Sequence, residues 1–79
     1  MKANLKNRQQ PDMISVDSSV IKAIGYDRAT MVLHVHLLNT KRYSYYDVPT
    51  GVFKEFLGAE SKGSYFNYNI RPFYRCEEQ

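Results

Sequence analysis

Three tyrosines and a proline lie together in the stretch that decides the fold of this chain, Tyr43-Ser44-Tyr45-Tyr46-Asp47-Val48-Pro49. Aromatic side chains of this kind favour a β-strand. A proline suits the first turn of a helix, where its missing N–H is no loss. The stretch therefore predicts a strand that runs from Arg42 to Val48 and a helix that begins at Pro49.

Two further strands are predicted upstream. Residues 20–27 are rich in β-forming side chains and end in a turn-like sequence, residues 27–30. Residues 30–38 alternate in polarity along the chain. One face of that segment carries Met31, Leu33, Val35 and Leu37, and the other carries Val32, His34 and His36. Such alternation is typical of a half-buried strand, so the three segments predict an antiparallel meander.

Apolar residues at helical spacing follow Pro49, and they are Val52, Phe53, Phe56 and Leu57. Ser61 can cap a second short helix, which ends by Arg71 because the residue before Pro72 is driven out of the helical region. The predicted fold class is α+β, with order β-β-β-α-α. It is a three-stranded antiparallel β-meander covered on one face by two short C-terminal helices.

The orientation of the tyrosines depends on the loop between the second and third predicted strands. A three-residue loop over 39–41 pairs Val35 with Tyr45 and Leu37 with Tyr43, which turns both tyrosines toward the helices. A two-residue loop turns both to the open face, because a one-residue slip reverses every side chain. Since a two-residue turn needs a positive φ that Thr40 tolerates poorly, the longer loop and largely buried tyrosines are predicted.

Length and composition indicate one domain in a chain of 79 residues. The predicted boundaries are a flexible basic tail over 1–12, a domain over 13–76 and an acidic tail over 77–79. The single cysteine, Cys76, rules out an intrachain disulfide and favours a reducing cytoplasm. No apolar run approaches the roughly 20 residues needed to cross a membrane, so no membrane partner is expected.

Motifs for catalysis or metal binding are weak in this sequence. His34 and His36 point the same way on a strand, but a zinc site needs about four ligands, and two solvated histidines are favoured. Lys62-Gly63-Ser64 has the wrong order for a phosphate loop. It reads better as a helix start beside the cap Ser61, whose free N–H groups could still hold an anion. Cys76 has no neighbouring base. No enzyme activity, cofactor or metal is expected.

Basic residues close to aromatic ones supply the remaining functional signal in a chain of net charge +3. The predicted nucleic-acid-binding residues are Lys41, Arg42, Tyr46, Lys62, Arg71 and Arg75. Bases stack on exposed rings while cations hold phosphates, so RNA, either tRNA or a single strand, is the predicted partner. The alternative is a protein-interaction module that uses an exposed strand edge or an aromatic patch.

An ordered set of short motifs runs through residues 13–74 of the chain. It comprises Ser18-Ser19, Ile21, Gly25-Tyr26-Asp27, Tyr43-x-Tyr45, Val48-Pro49, Glu60-Ser61-Lys62-Gly63, Tyr65-Phe66-Asn67 and Ile70-Arg71. In these motifs the chain resembles the KTSC domain, a module named for its occurrence at the C-terminus of some lysyl-tRNA synthetases. Other members are small proteins of bacteria and phage-like elements. The resemblance implies RNA binding, chiefly through the association of the family with the synthetase. The chain departs from the commoner pattern where residues 39–41 replace a glycine-rich turn.

Overall fold

The chain forms one sheet of five strands in the computed structural model, which describes residues 11–79. The strands are β1 (Ile14–Ser15), β2 (Ile21–Asp27), β3 (Val32–Leu37), β4 (Arg42–Tyr45) and β5 (Cys76–Glu78). Between β4 and β5 lie the helices α1 (Thr50–Gly58) and α2 (Lys62–Tyr65), and α2 continues as a π-helical segment, Phe66–Ile70. Every neighbouring strand pair is antiparallel, so the α+β class is confirmed. In this part of the chain no helix is long and apolar enough to cross a membrane.

The predicted number of strands is wrong, because two short strands extend the meander. β1 and β5 have two and three residues, all exposed, so neither shows the alternation that predicts a strand. Glu77 and Glu78, assigned by the sequence to an acidic tail, pair with β4 instead. Of the predicted basic tail over 1–12, residues 1–10 lie outside the described residues.

The tyrosines face the helices as predicted, although the register is two residues away from the expected one. Val35 pairs with Tyr43 and Leu33 with Tyr45. The loop spans residues 38–40, closed by hydrogen bonds between Leu37 and Lys41 and between Thr40 and Leu37. Thr40 has a φ of 75° and is therefore left-handed. A residue in this conformation commonly ends a three-residue hairpin loop. A register shift of an even number of residues leaves every side chain on the same face. The predicted orientation of the tyrosines is therefore correct although the predicted register is wrong.

Aromatic packing fills the space between the sheet and the helices. The sheet face turned toward the helices, called the inner face below, contributes Leu33, Val35 and Tyr45, which are 0–3% exposed. The Tyr45 ring meets the Phe66 ring edge-on at 5.6 Å between centroids. Phe66 stacks in turn on Phe56 at 6.3 Å. Aromatic pairs of this kind add about 0.5–1.5 kcal/mol of stability beyond the contribution of their buried area. This contribution matters because a chain with one cysteine cannot form an intrachain disulfide.

Two hydrogen bonds hold the starts of the two helices. The Tyr26 hydroxyl donates to the carbonyl of Val48, which holds the residue just before Pro49 and α1 against the sheet. The hydroxyl oxygen of Ser61 accepts the N–H of Ser64 at 3.2 Å, so the predicted cap of the second helix is confirmed.

A glycine at position 63 lets the second helix approach the sheet. A Cβ on Gly63 would lie 3.3 Å from Cγ2 of Val20, a spacing that few side chains tolerate. After Tyr65 the backbone widens, and the N–H of Arg71 donates to Phe66 rather than to Asn67. Phe66 and Ile70 of this segment are both buried.

Candidate nucleic-acid interface

Three basic side chains stand abreast on the sheet face that the helices leave uncovered, called the outer face below. His36 of β3 is paired with Arg42 of β4 and with Ala23 of β2. A bulge between Ile21 and Ala23 leaves Lys22 as the extra residue of β2. Bulges re-aim a side chain in this way. Lys22, His36 and Arg42 thus form a row across three neighbouring strands, called the basic row below.

The positive charges of Lys22 and Arg42 both act on the imidazole of His36. Desolvation lowers the pKa of His36 below its ordinary value of 6.5, and the positive charges of Arg42 and Lys22 lower the same pKa further. A cation disfavours protonation of a neighbouring imidazole only when the two lie close together. Lys22 and Arg42 therefore place two positive charges beside His36, a setting that favours an anion.

A groove of about 270 Å³ lies beside the basic row on the outer face and is called the outer-face groove below. It is lined by Met13, His34, Val35, His36, Arg42, Tyr43 and Gln79. Met13 reaches this position by crossing Gly25, where a Cβ would lie 2.6 Å from the methionine sulfur and 3.0 Å from the Asp12 carbonyl oxygen. Glycine at position 25 is thus what lets the segment before β1 lie across the sheet.

A hydrogen-bonded cluster forms the middle of the outer face. Ser44 Oγ lies 3.0 Å from His34 Nδ1, and the amide of Gln79 donates to Ser44 Oγ and lies 3.1 Å from the same histidine nitrogen. Burial lowers the pKa of His34, while the charge of Asp27 opposes that change. Ser44 is only 3% exposed and carries the Gln79 amide, so this Ser–His pair anchors β5 rather than presenting a nucleophile.

Acidic groups share the opposite end of the outer face with Tyr46 and Arg75. The Tyr46 hydroxyl donates to Glu77 Oε1 at 2.7 Å, and this bond raises the pKa of Tyr46. The guanidinium of Arg75 lies over the Tyr46 ring, 4.9 Å from its centroid. One face of the ring is therefore already occupied, and the Glu77 carboxylate makes this end less suited to a phosphate than the basic row.

Lys62 and Arg71 lie in the helical layer, away from the outer face. The Lys62 ammonium donates to the carbonyl of Ala59 at 3.1 Å. The Arg71 guanidinium donates to Asn67 Oδ1 at 3.1 Å and lies 5.8 Å from the Phe66 ring centroid. Both cations are thus tied to their own helical layer.

A second, polar groove of about 300 Å³ adjoins Lys62. It brings the Ser18-Ser19 motif next to the motif around Gly63, two segments far apart in the sequence. Its lining is Asp17, Ser18, Ser19, Val20, Glu60, Ser61, Lys62, Gly63, Ser64 and Asn67. Two carboxylates stand there against one ammonium, so the groove is a poor site for a phosphate.

The six residues predicted to bind nucleic acid fall into three places. Arg42 lies at the basic end of the outer face with the exposed Lys41 next to it in sequence, Tyr46 and Arg75 lie at the acidic end, and Lys62 and Arg71 lie in the helical layer. Sequence reasoning missed Lys22 and His36. The pairing of His36 with Arg42 follows from the hairpin register, but the bulge that presents Lys22 has no signal in the periodicity of the sequence.

Other chemistry is limited within residues 11–79. No group of three or more His, Cys, Asp or Glu side chains that could hold a metal ion is found there. Cys76 is exposed on β5 and pairs with Tyr45. Burial raises the pKa of Tyr45 to about 12, and the neighbouring thiol adds to that shift. The thiol therefore borders a phenol that stays protonated, which does not activate it as a nucleophile.

Comparisons with known proteins agree with this architecture. The family model of the KTSC domain matches residues 17–74. A crystal structure of a KTSC domain protein from Yersinia pestis superposes with a TM-score of 0.84 at 31% identity, covering 86% of this chain and 96% of the other. Neither of these two matches points to a catalytic family.

Three further relatives are also similar in sequence. A protein of Tsukamurella paurometabola is 41% identical over 81% of this chain and 96% of its own length. An uncharacterised protein of Stutzerimonas stutzeri is 32% identical over 75% of this chain and 83% of its own length. The lysine–tRNA ligase of Nostoc punctiforme is 30% identical over 84% of this chain, which spans only 12% of the ligase. The chain belongs to the KTSC domain family.

Proposed function

We propose that this KTSC domain is a small, non-catalytic accessory module that binds RNA through the basic row, with Lys41 beside it. The observation that carries the proposal is the alignment of Lys22, His36 and Arg42 across three strands. Neighbouring strands lie about 4.8 Å apart, so an RNA backbone that crosses the strands meets the cation Lys22, the imidazole of His36 and the cation Arg42 in succession. Phosphate contacts of this kind supply most of the affinity in sequence-independent binding.

The lysine–tRNA ligase relative supports the choice of RNA. In that protein a segment similar to this chain is joined to an enzyme whose name specifies tRNA. A module that holds RNA near a tRNA-acting enzyme is useful in that setting, and the basic outer face gives this chain a physical means of doing the same. The contact with RNA would end at the acidic end of the outer face, where the Glu77 carboxylate repels phosphate.

Fluorescence anisotropy with labelled tRNA and a labelled single-stranded RNA, each titrated over a range of salt, tests the proposal. The variant Lys22→Gln/Arg42→Gln should bind more weakly. Its log–log salt slope for the single strand should fall by about 1.4, since each phosphate contact contributes about 0.7. The matched control is Arg28→Gln/Lys54→Gln, which removes the same charge from two exposed positions in the turn after β2 and on α1. Equal slopes for the two variants, or no binding by the unaltered chain, would refute the proposal.

A protein-interaction module is the second candidate, and two exposed aromatic side chains favour it. Tyr68 and Phe73 are 74% and 70% exposed, and both lie in or after the π-helical segment. Affinity purification after nuclease treatment tests this alternative. A partner protein that is lost with Tyr68→Ser/Phe73→Ser but retained with Lys22→Gln/Arg42→Gln would favour it over RNA binding.

A further inference from the structure

We propose that the outer-face groove holds one unpaired nucleotide of the bound RNA, with its phosphate on Arg42 and His36 and its base against Met13 and His34. This inference rests on the RNA binding proposed above and narrows it to strands that can offer an unpaired base. It assigns a role to a groove that the basic row alone does not require.

The size of the groove suits a single nucleotide. Its volume of about 270 Å³ lies just below the roughly 300–1,000 Å³ typical of small-molecule sites. A base that has left its stack can enter such a space, whereas a base pair within a duplex cannot present its face there. Recognition of RNA commonly relies on unstacked bases of this kind.

The groove has a basic end that suits the phosphate of a nucleotide and a less polar end that suits its base. Arg42 and His36 lie at the end that belongs to the basic row. The Arg42 guanidinium matches a phosphate in charge, and a ring N–H of His36 can donate a hydrogen bond to the same phosphate. Met13, 41% exposed, offers a polarisable thioether beside the imidazole of His34. Sulfur–aromatic contacts are favourable, and the His34 ring is held in place by Ser44 and Gln79. A base between Met13 and His34 would replace water, and the His34 ring would need no rearrangement to receive it.

Other surfaces of the described chain fit a nucleotide less well. The polar groove near Lys62 places Asp17 and Glu60 against one ammonium, which repels a phosphate. The Tyr46 ring is covered on one side by Arg75. Tyr68 and Phe73 are exposed, but neither lines the outer-face groove or the polar groove near Lys62.

A nuclear magnetic resonance titration with adenosine 5′-monophosphate, inorganic phosphate and adenosine locates the contact. The nucleotide should shift the Met13 methyl group together with His36 and Arg42. Inorganic phosphate should shift His36 and Arg42 alone, and adenosine should act weakly because it lacks the charge. The mononucleotide should also compete with labelled single-stranded RNA, and a blunt RNA duplex of the same length should bind less tightly than the single strand.

Two exposed methionines provide a matched pair of variants. Met13→Ala should weaken binding of single-stranded RNA by about two- to tenfold, the range that a thioether–aromatic contact supplies. Met31→Ala, at a residue 40% exposed in the turn after β2, should leave the affinity unchanged. RNA binding that is equal in the two variants, with no Met13 shift by the mononucleotide, would overturn this inference and leave RNA binding intact. No RNA binding by the unaltered chain would overturn both proposals.

Discussion

The inner and outer faces of the same sheet use neighbouring residues of β3 for opposite purposes. Leu33 and Val35 face inward and are 0% and 1% exposed, whereas His34 and His36, next to them in sequence, are only partly buried. The inner face is packed by rings from the helices, and the outer face carries charges and hydrogen-bonding groups. The comparison teaches that one face holds the fold together, which leaves the other free to carry a binding surface.

The largest expected effect is on the inner face, where Phe56→Ala should lower the free energy of unfolding by about 3–5 kcal/mol. Phe56 is fully buried and stacks between Tyr65 and Phe66 at 5.5 and 6.3 Å. Such a loss approaches the whole stability of a small single-core domain, about 3–5 kcal/mol. Urea denaturation followed by circular dichroism measures it.

The control is Phe73→Ala, which truncates the same side chain at a position 70% exposed. Surface substitutions of this kind usually stay within about 0.5 kcal/mol. If both variants lost the same stability, the division of labour between the faces would be wrong, because an exposed ring would then be holding the fold.

A smaller effect is expected where the sheet holds the start of α1. Tyr26→Phe removes the hydroxyl that donates to the Val48 carbonyl and should cost about 1–2 kcal/mol, because it leaves a buried acceptor without a partner. Tyr68→Phe, at a residue 74% exposed, should change stability little. Thermal unfolding of the two variants measures the difference, and equal melting temperatures would contradict it.

The outer face should contribute a pH-dependent part of the stability through His34. Burial lowers its pKa in the folded chain, so the unfolded chain binds the proton more readily. The corresponding stability is present above pH 6.5 and is lost as the pH falls through the lower folded pKa. His34→Gln should therefore flatten the acid side of the stability profile, measured by denaturation between pH 7.5 and 5, a range set by the ordinary histidine pKa of about 6.5. An unchanged dependence of stability on pH in His34→Gln would contradict this prediction.

The smallest effect is expected on RNA binding, through His36. Its pKa is lowered by desolvation and by Arg42 and Lys22, so it is largely neutral at neutral pH and gains its proton only on acidification. A bound phosphate favours the charged form, and binding should therefore tighten as the pH falls toward the lowered pKa of His36. The salt slope for single-stranded RNA should steepen by about 0.7. His36→Gln should remove that change, as anisotropy at two pH values would show.

Periodicity was sufficient to predict the central part of the fold. The alternation of residues 30–38 and the apolar stripe after Pro49 gave β3 and α1, and the Ser61 cap marked the start of α2. β1 and β5 were missed because they are too short and too exposed for their sequence to alternate. The hairpin register was two residues off because Thr40 adopts a conformation that its branched side chain makes uncommon.

The candidate site was predicted less completely, since it depends on pairing between distant segments. Arg42 was identified from its charge, but its neighbours His36 and Lys22 come from β3 and from a bulge in β2. Tyr46 was expected to offer a free ring. Arg75 covers that ring only because β5 returns to β4, and nothing in the local sequence of either segment indicates the return.

The return of β5 has a consequence for how the protein is made. The partner of Tyr45 is Cys76, and both helices lie between them in sequence. The far side of β4 therefore stays uncovered until residues 76–78 have left the ribosome. Until then its backbone is an unpaired edge rich in tyrosine, the type of edge that recruits other chains. Once β5 has paired with β4, Glu77 and Glu78 place negative charge along this edge of the sheet, which discourages association with another chain.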